Sequence, residues 1–102
     1  MSRREQLEDL LRADPDDVFL HYALALECAS AGDAAEAIAR LDGVLGRDAD
    51  YVAAYFQKGQ ILAREGDLES AAAALRDGVA AARRTGNAHA EGEMTAFLEA
   101  LS

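Results

Sequence analysis

Apolar residues recur along this chain at intervals of three and four, interrupted by short polar or glycine-bearing stretches. That spacing marks helices that bury one side, and it predicts six of them. Leu7, Leu10 and Leu11 form the stripe of a first helix over 3–13. Ser2 and Glu5 have the spacing of a capping box, in which each side chain satisfies an amide at the helix start. Asp14 is placed to cap a second helix over 16–31, with Pro15 in its first turn, where a missing amide proton costs nothing. That helix carries Phe19, Tyr22, Ala23, Leu26, Cys28 and Ala29, apolar around more than half its circumference. It is therefore expected to lie between two neighbours.

Gly32 is suited to the left-handed conformation that closes a helix, and Asp33 with Glu36 offers another capping pair. A third helix then carries Ala37, Ile38, Leu41, Val44 and Leu45, with Gly46 expected at its end. The fourth follows Asp50 and bears Ala54, Tyr55, Phe56, Gly59, Ile61 and Leu62 up to Gly66. The fifth begins at Asp67 and runs to about Arg84, where Thr85-Gly86-Asn87 breaks it. The last, over 88–101, has Ala90, Met94, Phe97, Leu98 and Leu101 on one stripe with acids opposite. A helix of that kind can seal one end of a stack and still face water.

The segments repeat. Gly32-Asp33 and Gly66-Asp67 lie 34 residues apart, and the same shift superposes Leu7, Leu41 and Leu75, then Leu11, Leu45 and Val79. Small residues also recur where helices must approach closely: Ala25 with Gly59, and Ala37 with Ala71. Tyr55, Gly59, Leu62, Gly66-Asp67, Ala71 and Leu75 in one copy, and Leu24, Ala25, Gly32-Asp33, Glu36-Ala37, Ile38 and Leu41 in the other, carry a resemblance. The chain resembles the tetratricopeptide repeat family, whose unit is a 34-residue antiparallel helix pair. Asp14-Pro15 is similar to the family's junction between units. The sequence departs from the family pattern at His21, where an aromatic is expected, at Lys58, and at Ala49 and Arg83, where a junction proline often stands.

The resemblance implies an all-α fold of helix pairs stacked as a short right-handed superhelix. It divides one domain, 1–102, into an N-terminal helix (3–13), two pairs (16–46 and 50–84) and a C-terminal capping helix (88–101). In the family, the first helices of successive units line a concave groove that binds peptides. By position, the groove residues here are Phe19, Tyr22, Leu26 and Ser30 from one unit, and Ala53, Phe56, Gln60 and Arg64 from the next. The aromatics either anchor a ligand or pack against the terminal helix. The lysines and asparagines that clamp a peptide carboxylate in some members are replaced by Tyr22, Leu26 and Gln57, which argues against that mode. The competing use is self-association through an uncovered end of the array.

Composition narrows the alternatives. A 102-residue chain of net charge −9 and sequence pI near 4.5 is a poor partner for nucleic-acid phosphates. Cys28 is the only cysteine, so no internal disulfide forms, and a lone thiol on an apolar helical face reads as an inert packing residue. The polar N-terminus lacks a secretion signal and no apolar run approaches the ~20 residues of a membrane span, so a cytoplasmic protein is expected. His21 and His89 lie two repeat lengths apart, too far to share a metal ion. Each is expected to be a partly buried packing residue. No nucleophile turn or phosphate-cradling glycine loop occurs, so neither a cofactor nor catalysis is expected. Asp16-Asp17 and Asp48 to Asp50 are expected at helix starts, where acids meet the positive end of the dipole.

Overall fold

A computed structural model describes all 102 residues. The chain folds into six helices and no strand: α1 (Arg3–Ala13), α2 (Val18–Ser30), α3 (Ala34–Arg47), α4 (Val52–Arg64), α5 (Leu68–Arg84) and α6 (Ala88–Leu101). Two compact units divide them, Met1–Asp48 with α1 to α3 and Ala49–Ser102 with α4 to α6.

One joint is used three times. Gly32, Gly66 and Gly86 have φ of +82°, +87° and +70°, a region that costs a side-chain-bearing residue about 1–2 kcal/mol. In the first joint the Gly32 amide donates to Ala29 O and the Asp33 amide to Cys28 O, a Schellman closure of α2. The Asp33 carboxylate then accepts from the Glu36 amide and opens α3. Asp67 and Asn87 repeat the arrangement, accepting from the amides of Ser70 and Ala90. One residue therefore satisfies both the end of one helix and the beginning of the next.

In the first unit α2 packs on both α1 and α3, as its broad apolar surface requires. Leu7 and Leu11 of α1 meet Leu20, Ala23 and Leu24 of α2 in one apolar cluster. Ala25 and Cys28 on α2, and Ala37, Leu41 and Val44 on α3, are fully enclosed. Arg3 pairs with Glu27 at 2.7 Å between exposed and half-buried groups, a contact worth at most about 1 kcal/mol.

In the second unit α5 packs on both α4 and α6. Two glycines set its spacing: a Cβ on Gly59 would come within 2.6 Å of Leu75 Cγ, and one on Gly78 within 2.5 Å of Met94 Sδ and 2.7 Å of Tyr55 Cβ. Leu75 thus fills a notch in α4, and Met94 fills a notch in α5. Both side chains are completely buried.

Several boundaries differ from the sequence reading. Helix α2 begins at Val18, not residue 16, because the Asp17 carboxylate takes the Leu20 amide at 3.0 Å. Asp14 ends α1, and its carbonyl accepts the Asp17 amide, leaving Pro15 in a turn where its fixed φ is favourable. Gly46 does not stop α3, which continues through Arg47. Arg47 Nη1 donates to the Gly43 carbonyl there. Helix α4 begins at Val52 after Tyr51, with no side-chain cap, and Asp50 instead receives Arg84 at 2.9 Å.

Candidate functional site

The residues expected to line a binding surface fall on one helix in each unit. On α2, the sequence spacing of Phe19, Tyr22, Leu26 and Ser30 sets them along one side of the helix. Phe19 is 64% exposed, although its helix packs against both α1 and α3. Tyr22 and Leu26 are half-buried and Ser30 is exposed at the last turn.

The α4 face differs. Ala53 and Arg64 are exposed and Gln60 is half-buried. Phe56 packs within its own unit, its ring centroid 6.0 Å from that of Phe97 on α6 at an interplanar angle of 80°, an edge-to-face contact of the favourable kind. Of the two roles open to the aromatics, Phe56 takes packing against the terminal helix, while Phe19 points its ring to solvent.

A second feature was not foreseen. The His21 ring Nε2 lies 2.7 Å from the Pro15 carbonyl, and because a carbonyl only accepts, the proton sits on Nε2. Thirty-four residues on, the Tyr55 hydroxyl donates to the Ala49 carbonyl at 2.6 Å. His21 therefore performs the tyrosine's task at the equivalent corner. The signal was present in the shared offset of six residues to the carbonyl, but only the folded corner shows which atom is reached.

His89 is exposed, contrary to the packing role expected of it, and pairs with Glu93 one turn along α6 at 3.2 Å. Cys28 is fully enclosed, and burial pushes its thiol up from the ordinary value, opposed by the nearby positive charge of Arg4. Such a thiol stays neutral and unreactive. Beside α1, a cavity of about 290 Å³ has apolar walls from Leu11, Pro15 and Leu24 and charged ones from Glu8, Arg12 and Arg40. Both arginines are already engaged, Arg12 with Asp9 and Arg40 with Glu36.

Comparison with known proteins agrees with this architecture. The sequence profile of the tetratricopeptide repeat matches residues 29–90, and a second profile of the same description matches residues 2–53. The chain belongs to the tetratricopeptide repeat family. A tetratricopeptide repeat-containing protein of Pseudomonas aeruginosa is 35% identical over 97 residues, covering 95% of this chain and 92% of that protein. Among solved structures, a protein of Bordetella parapertussis matches with a TM-score of 0.87 at 29% identity, over 99% of this chain and 88% of the other. A tetratricopeptide repeat domain protein of Salinibacter ruber matches at 0.81 and 27% identity, over 86% and 89%. PcrH, solved with the chaperone binding region of PopD, shares the fold at a TM-score of 0.89 and 19% identity, over 96% and 74%. Tetratricopeptide repeat domains generally mediate protein–protein interaction and are typically non-catalytic scaffolds. No helix of this member is long and apolar enough to cross a membrane.

Proposed function

We propose that this protein is a non-catalytic binding module that holds a peptide segment of a partner protein on the open face of α2. Phe19 is the apolar anchor, with Tyr22 and Leu26 beside it and Ser30 at the end of the row. The corresponding row of α4, Ala53, Gln60 and Arg64, is small and polar and carries no such anchor. The observation that carries the reading is the 64% exposure of Phe19 on a helix that packs against α1 and α3 through its buried side. Support comes from the family's general role in protein–protein interaction. Among proteins of this fold, PcrH is solved with the chaperone binding region of PopD.

A phage-displayed peptide library selected on the full chain tests the reading. Selected peptides should bind Phe19→Ala at least about tenfold more weakly, since a buried aromatic anchor contributes on the order of 2 kcal/mol. The melting temperature of that variant should be unchanged. Equal affinity for wild type and Phe19→Ala would remove α2 as the binding face.

A second reading, self-association through α1, rests on Leu10. It is 54% exposed, whereas Val44 and Gly78 at the equivalent repeat positions are buried. Light scattering across a concentration range decides it: a monomer throughout eliminates it, and a dimer lost in Leu10→Ser supports it.

A further inference from the structure

Between α5 and α6 the second unit holds a groove of about 390 Å³, lined by Arg76, Val79, Ala80 and Arg83 from one helix and Thr95 and Leu98 from the other. Val79 belongs to the buried core cluster and Leu98 packs against it, so the apolar part of the groove is fixed in place. Both charged groups in the lining are cationic, in a chain whose net charge is −9. The cavity of the first unit is unlike it, because Glu8 stands in its lining beside the two arginines. In the α5–α6 groove Arg83 Nε donates to Glu91 at 2.8 Å, which leaves the other N–H groups of its guanidinium for a ligand. Arg76 forms no ion pair with its own chain.

We propose that this groove is a second docking site, separate from α2, and that its occupant is an acidic peptide segment of a partner protein. One aliphatic side chain of the segment lies against Val79 and Leu98, and carboxylates on either side of it reach Arg76 and Arg83. Charge complementarity selects this occupant. An arginine presents a planar fork that matches a carboxylate, and in a chain of net charge −9 a lining whose charged groups are all cationic stands out as a place where an acidic segment is attracted. The apolar contact supplies holding power, and the arginines supply orientation and discrimination against basic sequences. A leucine or isoleucine flanked by aspartates or glutamates fits both requirements, and the Thr95 hydroxyl offers a hydrogen bond to its backbone.

The test is a titration of isotope-labelled full chain with the synthetic peptide acetyl-Asp-Glu-Leu-Glu-Asp-amide, followed by NMR. Shifts should centre on the Arg76 and Arg83 side-chain Nε resonances and on Thr95 and Leu98. A glycine in place of the leucine, or lysines in place of the acids, should abolish them. Arg76 is exposed, so Arg76→Glu should keep the helical spectrum while weakening the acidic peptide on the order of tenfold. Unchanged affinity of Arg76→Glu, or shifts centred away from α5 and α6, overturns the proposal. So does movement of the same resonances with protein concentration alone, which would seat a second copy in the groove. Phe19→Ala should leave this titration unaltered, so failure here and failure of the α2 reading are told apart.

Discussion

The two units stand 34 residues apart and satisfy the same requirements with different side chains. At the corner before the first helix of each pair, His21 reaches Pro15 O at 2.7 Å and Tyr55 reaches Ala49 O at 2.6 Å. Beside each corner an arginine from the end of the second helix meets the equivalent acid, Arg47 with Asp16 at 3.7 Å and Arg84 with Asp50 at 2.9 Å. The residue names change and the bonds persist. On the outward row the reverse holds. Phe19, Tyr22 and Leu26 become Ala53, Phe56 and Gln60, and the one aromatic retained turns inward onto Phe97. The repeat therefore constrains its corners and leaves its surface free to differ, so binding chemistry cannot be read by averaging the copies.

The largest effect concerns Cys28, which reports only on the first unit. A thiol reagent should modify it on the order of a thousandfold more slowly in the native protein than in denaturant, the ratio set by opening of a domain of ordinary stability. Rapid native modification would mean that α2 is not enclosed. Because burial raises the folded thiol pKa, its contribution to stability is fully present below the unfolded thiol's ordinary value and is lost as pH rises through the folded one. Cys28→Ala should accordingly flatten the alkaline fall in stability.

Next in size, Gly78→Val installs in the second unit the residue that the first unit carries as Val44. It should destabilise by about 3 kcal/mol in urea unfolding, since the new side chain meets both Met94 and the less yielding Cβ of Tyr55. Adding Met94→Ala should recover only part of the loss; full recovery would show that Tyr55 gives way.

Exchanging the small residues is the third test. Gly59→Ala gains about 1 kcal/mol of helix propensity but drives a methyl against Leu75, at an overpacking cost of about 1–3 kcal/mol. Ala25→Gly in the other unit should cost about 1 kcal/mol through propensity alone. Both changes are expected to lower the urea midpoint, and a stabilised Gly59→Ala would mean that α4 and α5 separate at little cost.

Smallest is the corner. His21→Phe removes the bond to Pro15 and should cost about 1 kcal/mol, whereas His21→Tyr should fall within about 0.5 kcal/mol of wild type. If the two substitutions behave alike, the shared task of His21 and Tyr55 is refuted.

Much of the architecture was legible in the sequence because it depends on local chemistry. Six helices followed from apolar spacing, and α1 and α6 have the bounds expected, since Ser2 and the Thr85-Gly86-Asn87 break act within a few residues. The misplaced cap at Asp14 arose where three aspartates, at 14, 16 and 17, compete for one helix start and only the turn around Pro15 chooses among them. Gly46 misled because glycine permits a helix to end without requiring it, and the left-handed backbone at Gly32, Gly66 and Gly86 was the feature that mattered. The candidate surface was less legible. Sequence placed Phe56 on α4 but could not orient it, because Phe97 lies beyond an intervening helix. The notch at Gly78 is not marked by the repeat, because its equivalents, Leu10 and Val44, are large.

The joints at Gly32-Asp33, Gly66-Asp67 and Gly86-Asn87 also govern where the chain can change length. Each glycine ends a helix and the very next residue caps its successor, so no residue there is spare. An insertion would break one of the two closures, or enter the following helix and turn its buried stripe by about 100°. The four-residue connector 14–17 has no such double duty, because α1 ends on Asp14 and α2 is capped by Asp17. The glycine joints are therefore turns of constant size, whereas the connector 14–17 is held from outside itself, by His21 and Arg47.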